Sequence, residues 1–340
     1  MTETEFIRQL PKVLLHDHLD GGVRSSTLAE LRGAPPEEIE AVYALGARAG
    51  SLGRYLEQFA LVTEVLQSED ALYRVAREAG EDLLAETVIH AELRFAPELH
   101  TTGGLDEKSV IAAVHRGLQD SGLSHGLIIV AMRTSSPATT ERIAKLAVEA
   151  RKDAVVGFDL AGQEAGHGAA LHHRATRTAL EGGLGLTIHA GEAAGPESIL
   201  EALDAGAVRL GHGVRLVDAP ESLRRRVREA GVVLELCPSS NLHTGVCGGL
   251  DDHPVERLRR DGQRISVNTD NRSISRTSLT RELELVAGAF SWDEDTLREI
   301  MLVTADACFL PADQRAGLVE RVLAGTGSPA GAGSPVSPGS

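Results

Sequence analysis

The sequence predicts a single (β/α)₈ barrel with extra helices inserted after the first strand. Eight short apolar segments alternate with amphipathic segments along a chain of 340 residues, and this alternation is typical of a parallel barrel. Several apolar segments, such as AVVGFDL at 154–160, carry hardly any polar residue, as expected for parallel strands buried on both faces. One barrel of about 250 residues, enlarged by insertions, accounts for the length.

The predicted barrel spans residues 1–324, and its elements follow in a regular order. The predicted strands are 13–19, 88–95, 126–132, 154–160, 184–190, 208–211, 232–237 and 264–269. The predicted helices between them include 107–120, 139–152, 169–181, 196–205 and 220–230. The interval after the first strand is the longest, so residues 26–86 are expected to form extra helices over one barrel face. Residues 325–340 are rich in Gly, Ser and Pro and are predicted to be a disordered tail.

Composition and charge exclude several classes of function. The chain has 34 Lys and Arg against 49 Asp and Glu, a net charge of −15, which repels polyphosphates and excludes general nucleic-acid binding. The sequence has neither a signal-peptide pattern nor an apolar run long enough to cross a membrane. Its three cysteines form no CxxC pair, which is typical of a reducing compartment, so a cytoplasmic location is expected.

Other catalytic plans lack their sequence signatures. A nucleotide-binding sheet would need GxGxxG or GxxxxGK[ST], a nucleophile-elbow hydrolase would need GxSxG, and none of these occurs. The H-x-E…P-C-x-x-C signature of one class of zinc deaminases is also missing. Cys237 ends a predicted strand and is interpreted as a buried structural thiol.

Ligand-type side chains stand at the carboxyl ends of four predicted strands, where the active sites of such barrels form. His16 and His18 lie two residues apart and so project from the same side of strand 1. The others are His189, Glu192, His212 and Asp270. Imidazoles and a carboxylate, without thiolates, suit zinc or another borderline first-row ion. No lysine near the end of strand 4 could bridge two ions, so one metal ion per chain is expected.

Seven motifs, in order along most of the chain, connect the sequence to a known family. They are LPKVLLHDHLDG (10–21), ELRFAP (92–97), GFDLAG (157–162), TIHAGE (187–192), RLGHG (209–213), CPSSN (237–241) and NTD (268–270). With them, the sequence resembles the adenosine deaminase family of the amidohydrolase superfamily, specifically its bacterial branch. The resemblance implies a zinc-dependent hydrolase of purine salvage. It would deaminate adenosine and 2′-deoxyadenosine to inosine and 2′-deoxyinosine, with release of ammonia.

The resemblance also implies the catalytic roles. The zinc ligands would be His16, His18, His189 and Asp270. Asp270 would also accept a proton from the attacking water, His212 would hold the hydroxide over C6, and Glu192 would protonate N1 of the purine. Glu192 must begin protonated, which requires that burial raise its pKa.

Four residues would contact the substrate by the same resemblance. They are His18, Asp20, Gly162 and Asn271. Gly162 would donate its backbone N–H to purine N3, and Asp20 would accept a hydrogen bond from the ribose. Asn271 replaces the Asp of many family members opposite N7, where an amide can donate directly. This replacement leaves the exact 6-aminopurine open.

Behind the site, the resemblance implies that Asp159 and Ser240 orient His212.

The expected partners are a small purine nucleoside and water, and the oligomeric state is left open. A deaminase of adenine, or of a 5′-modified adenosine such as aminodeoxyfutalosine, would use the same motifs, and the helices of 26–86 would separate these readings. A more remote alternative is a non-catalytic metal-binding or signalling protein, which would be expected to lack Glu192 or His212.

Overall fold

The computed structural model describes residues 3–325. Eight parallel strands lie side by side in sequence order, which confirms the predicted barrel. The strands are β1 (Lys12–His18), β2 (Val88–Phe95), β3 (His125–Met132), β4 (Val155–Ala161), β5 (Gly185–Ala190), β6 (Arg209–His212), β7 (Val233–Leu236) and β8 (Arg264–Val267). Their side chains are buried almost throughout, as the apolar segments predicted.

The barrel closes between β8 and β1 through a side chain and the segment after β8. The Oδ1 atom of Asn268 accepts the backbone N–H groups of Leu15 and His16, at 3.0 and 3.2 Å. The Asp270 N–H then donates to the His16 carbonyl at 3.0 Å, and the His18 N–H donates to the Asp270 carbonyl at 2.7 Å. Closure therefore brings the ends of the first and last strands together.

Helices surround the strands and cover one end of the barrel. They are α1 (Glu3–Gln9), α2 (Ser25–Arg32), α3 (Pro36–Gly46), α4 (Leu52–Leu56), α5 (Phe59–Val65), α6 (Glu69–Ala85), α7 (Glu107–Ser121), α8 (Pro137–Glu149), α9 (His173–Glu181), α10 (Pro196–Asp204), α11 (Glu221–Glu229), α12 (Pro238–His243), α13 (Val255–Arg260), α14 (Leu279–Phe290), α15 (Glu294–Asp306) and α16 (Ala312–Ala324). The interval after β1 forms α2 to α6, as predicted. Helix α6 packs along α7 in the outer ring, whereas α4 and α5 border the cavity at the carboxyl ends of the strands.

Differences between predicted and observed bounds have local causes. β8 ends at Val267, two residues before the predicted end, because the chain leaves the sheet before Asp270, which has a φ of 57°. The predicted helix 169–181 is divided, since a 3₁₀ turn precedes α9. Of the predicted tail, only Gly325 is among the described residues, where it caps α16. No helix within 3–325 has the length and apolar character that a membrane crossing requires.

Candidate metal-dependent active site

Five side chains from four strand ends converge at the carboxyl end of the barrel. They are His16, His18, His189, His212 and Asp270. The Nε2 atom of His16 lies 3.3 Å from Oδ1 of Asp270, and the Nε2 atom of His18 lies 3.5 Å from the same oxygen. The Nε2 atoms of His18 and His189 are 3.3 Å apart. The structure thus brings together all four predicted zinc ligands, with His212 beside them.

The convergent atoms fit a metal ion. Ligand atoms of His16, His189, His212 and Asp270 all lie within 4.8 Å of one another, a set that contains His212 in place of the predicted His18. Among the described residues, buried Nε2 of His16 finds no hydrogen-bond partner, and such an orphaned nitrogen is costly unless something binds it. Three or four neutral imidazoles with one carboxylate form a donor set that suits zinc. Burial lowers the pKa of His18 and His189 and so favours their neutral, metal-binding forms.

The backbone at two of these residues is strained. His212 and Asp270 have φ values of 61° and 57°, in the left-handed region that side chains with a Cβ rarely adopt. Each such residue costs about 1–3 kcal/mol and persists only where its surroundings hold it. Gly211 precedes His212, and a Cβ there would lie 3.1 Å from the His16 ring. Strain and close approach therefore serve to aim these two side chains into the site.

Buried carboxylates behind the site orient the histidines. Oε2 of Glu235 accepts from Nδ1 of His16 at 3.0 Å, and Asp159 lies 2.9 Å from Nδ1 of His189. Arg94 joins both carboxylates, at 2.8 Å to Asp159 and 2.7 Å to Glu235. Burial alone would raise the pKa of Glu235, but the charges of Arg94 and Arg209 outweigh it and hold that pKa well below its ordinary value. Each histidine thus turns its Nε2 towards the ion site.

The prediction that Asp159 and Ser240 orient His212 is wrong, because each of them contacts a different residue. Asp159 contacts His189, and the Ser240 hydroxyl donates to Oδ2 of Asp270 at 2.5 Å. Nδ1 of His212 is instead paired with Nδ2 of Asn241 at 3.1 Å. The reason is geometric, because helix α12 begins after β7 and directs Ser240 and Asn241 to different neighbours.

Glu192 lies beside His212 inside the candidate site. It is buried, and its Oε2 lies 3.5 Å from Nε2 of His212. Burial, followed by the negative charges of Asp270 and Glu164, raises the pKa of Glu192 well above its ordinary value. The raised pKa favours the protonated form of the carboxyl, which is the form that a general acid needs.

The loop that carries Glu192 is held by a second carboxylate, which the sequence analysis missed. Oε1 of Glu164 accepts from the backbone N–H of Gly191 at 2.6 Å. Its Oε2 accepts from the N–H groups of Glu192, Ala193 and Ala194 at 3.1, 2.6 and 2.9 Å. A carboxylate that satisfies four consecutive amides fixes the path of this loop. The motif GFDLAG ends two residues before Glu164, and no spacing rule pointed to it.

We expect that Glu164→Ala lowers kcat about 10²-fold, because a small displacement of a catalytic group has effects of this size. Four amides would lose their acceptor, and Glu192 would no longer be held against the substrate. Steady-state kinetics and zinc analysis check this. Glu197→Gln is the matched control, since Glu197 accepts from Gly195 on the same loop but is exposed. Equal kcat values for the Glu164 variant and the native chain would refute the role.

A cavity of about 270 Å³ lies above the convergent histidines. Its floor includes Glu192 and Asp270, and its wall includes Asp20, Gly162 and Asn271, so all the predicted substrate residues border it. Helices α4 and α5 supply a largely apolar wall, with the side chains of Leu52, Tyr55, Leu56, Phe59, Ala60 and Thr63. The cavity therefore combines an apolar slot with a few convergent polar groups, as small-molecule sites do.

The surroundings of Asn271 and Asp20 determine how these two predicted substrate residues could bind a ligand. Asn271 is buried, and Gly21 makes room for it, because a Cβ at Gly21 would lie 1.9 Å from its Oδ1. Burial raises the pKa of Asp20 to about 7. Near neutral pH the Asp20 carboxyl can therefore either donate a hydrogen bond or accept one.

Comparison with known proteins identifies the family. The sequence profile described as "Adenosine deaminase" matches residues 11–324. An adenosine deaminase of Mycolicibacterium vanbaalenii is 40% identical over 346 residues, which cover 93% of this chain and 95% of that protein. An Arabidopsis N6-mAMP deaminase has a similar structure, with a TM-score of 0.86 and 26% identity over 94% of this chain and 99% of that chain. A zinc-bound amidohydrolase of Burkholderia ambifaria gives a TM-score of 0.85 and 28% identity, covering 95% and 96%. The chain belongs to the adenosine deaminase family.

Proposed function

We propose that this chain catalyses the hydrolytic, zinc-dependent deamination of adenosine and 2′-deoxyadenosine, with release of ammonia. The observation that carries the proposal is the meeting of Glu192, a buried carboxyl whose pKa is raised, with the His and Asp cluster at the floor of one cavity. The adenosine deaminase of M. vanbaalenii supports the substrate. A non-catalytic metal-binding role is not favoured, because both Glu192 and His212 are present and buried.

One zinc ion would be held by His16, His18, His189 and Asp270. When bound, zinc supplies a water nucleophile whose pKa is lowered towards about 7. The bound zinc of the B. ambifaria amidohydrolase supports this choice of metal. The carboxylate of Asp270 would accept the proton of the attacking water, and the Ser240 hydroxyl, which donates to its Oδ2, keeps that carboxylate in place.

Glu192 would act as the general acid. A proton transferred from Glu192 to N1 of the purine breaks the aromaticity of the ring, so C6 becomes able to accept the nucleophile. His212 stands on the same side of the site, 3.5 Å from Glu192, where it can hold the attacking oxygen over C6. The proton that Asp270 accepted from water then passes to the amino group, the C6–N bond breaks and ammonia leaves. The proton of the new C6 hydroxyl returns to Glu192, and the 6-oxo purine remains with its proton on N1.

The cavity favours a nucleoside over a nucleotide. No lysine or arginine belongs to the described residues that border it, while Asp20 does. A 5′-phosphate would therefore lack a cationic partner and would meet a carboxyl group. The volume of about 270 Å³ lies near the small end of ligand cavities, which supports a compact nucleoside over one with a bulky 5′ group. His18 and Gly162, which also border the cavity, would contact the nucleoside.

The cellular location proposed is the cytoplasm. Its support is that Cys237, Cys247 and Cys308 are all free thiols, which fits a reducing compartment. Cys237 is also fully buried, consistent with its interpretation as a structural thiol.

Incubation of the zinc-loaded protein with adenosine in H₂¹⁸O tests the reaction itself. Inosine carrying one ¹⁸O atom at C6, with one equivalent of ammonia, is the expected result, because the oxygen comes from water. Unlabelled inosine, or loss of the base from the sugar, would contradict hydrolytic deamination.

The role of Asn271 can be tested separately. We expect that Asn271→Asp raises the KM for adenosine about tenfold at alkaline pH, because an ionised carboxylate facing the N7 acceptor leaves both groups unpaired. The affinity for 7-deazaadenosine, which lacks N7, should change much less and is the control. If both substrates show the same change in KM, Asn271 does not contact N7.

A further inference from the structure

A chain of three buried side chains leads away from the active site behind His212. Nδ1 of His212 pairs with Nδ2 of Asn241 at 3.1 Å, and Oδ1 of Asn241 pairs with Nε2 of His253 at 3.1 Å. The chain ends on the backbone, where the N–H of Val255 donates to Nδ1 of His253 at 3.1 Å. All three side chains are at most 2% exposed, so no solvent interrupts the chain.

The backbone group at the end of this chain sets its direction. An amide N–H can only donate, so Nδ1 of His253 must be an acceptor without a proton. Burial lowers the pKa of His253 to about 4, which keeps the ring neutral, and its one proton is then on Nε2. Nε2–H donates to the carbonyl oxygen of Asn241. The opposite orientation of the Asn241 amide would place two donors against each other.

The orientation of the Asn241 amide fixes which nitrogen of His212 carries the proton. With its oxygen committed to His253, Asn241 presents its NH₂ group to Nδ1 of His212, and an NH₂ group can only donate. Nδ1 of His212 must therefore accept. The proton of the neutral His212 ring then lies on Nε2, the nitrogen that faces the cavity and Oε2 of Glu192.

We propose that Asn241 and His253 are positioning residues that hold His212 as its Nε2–H tautomer, so that His212 donates a hydrogen bond to the attacking oxygen. An Nε2–H nitrogen has no lone pair for a metal. This hydrogen-bond chain therefore excludes His212 as a ligand. Of the five side chains that converge at the site, it leaves His18 as the third imidazole that can bind the metal. It also leaves Asp270 as the acceptor of the water proton.

The tautomer itself can be measured without any substrate. Long-range ¹H–¹⁵N correlation spectra of protein with ¹⁵N-labelled histidine distinguish Nδ1–H from Nε2–H rings, both with zinc and without it. We expect the His212 ring, assigned by its loss in His212→Ala, to be protonated at Nε2 alone. A proton on Nδ1 in the native chain would overturn the proposal, whatever the substrate is.

Asn241→Asp replaces the donor that faces His212 by an acceptor and leaves the shape of the side chain nearly unchanged. An aspartate offers only acceptors, so we expect Nδ1 of His212 to gain a proton and kcat to fall about 10²-fold or more, with little change in KM. His253→Gln, whose amide can still donate to Asn241, should retain the tautomer and most of the rate. His90→Gln is the control for loss of a buried histidine, because His90 pairs with Ser124 outside the site. An unchanged tautomer in Asn241→Asp would refute the role.

The kinetic part of this test rests on the proposed function, whereas the spectroscopic part does not. If the native protein turned over no nucleoside but showed the Nε2–H ring, the proposed function would fail and the positioning role would stand. If it turned over adenosine with the Nδ1–H ring, the reverse would hold.

Discussion

Replacing Glu192 with glutamine should lower kcat about 10³-fold, within the range of what a positioned general acid contributes. The amide has nearly the shape of the protonated carboxyl that it replaces, but it cannot transfer a proton to N1. Burial and the charges of Asp270 and Glu164 raise the pKa of Glu192 and so favour its neutral form, which the amide matches in charge. The substitution therefore removes the chemistry and little else.

Three measurements together make this prediction sharp. Bound zinc, determined by elemental analysis, should stay at one ion per chain, since Glu192 is not among the proposed ligands. The melting temperature should change little, because the amide matches the neutral form of the carboxyl in charge and nearly in shape. Only kcat should fall. A variant with native kcat would remove Glu192 as the acid, and a variant that had lost its zinc would place Glu192 among the ligands.

Replacing His16 with alanine should abolish both zinc binding and activity. His16 is fully buried, its Nε2 faces Asp270, and its Nδ1 is held by Glu235. Loss of an outer partner of a metal ligand already costs about 10–100-fold in affinity, so loss of the ligand itself should cost more. The fold should survive, because Arg94 and Arg209 still pair with Glu235 at 2.7 Å each.

Zinc titration of the metal-free variant, followed by chelator competition, measures this loss. His115→Ala is the matched control, because His115 pairs with His125 on the outside of the barrel and should bind zinc and turn over substrate normally. Native zinc affinity in His16→Ala would contradict the ligand assignment, even if its activity were lost.

The parts of the site that lie on strands could be predicted from the sequence, because strand geometry sets their position. His16 and His18 share one side of β1, and His189 and Asp270 stand at the ends of buried strands that must meet at one end of a barrel. The alternation of apolar and amphipathic segments was sufficient to locate these strands within about two residues.

The parts that depend on side-chain contacts between distant segments could not be predicted. Asn241 was visible within CPSSN, but its pairing with His212 depends on how α12 leaves β7. Glu164 lies in a loop without periodicity, and Arg94 lies inside a strand where an apolar residue would be expected. Neither position shows, from the sequence alone, which of several possible partners it meets.

The substrate of the site is identified by comparing four purines on one preparation of zinc-loaded protein. Ultraviolet absorbance follows the deamination of adenosine, 2′-deoxyadenosine, adenine and a 5′-modified adenosine side by side. We expect kcat/KM values for the two unmodified nucleosides at least about 10²-fold above those for the other two compounds, because a cavity of about 270 Å³ suits a compact nucleoside. Inactivity on both nucleosides, with rapid turnover of adenine or of the 5′-modified compound, would contradict the proposed function.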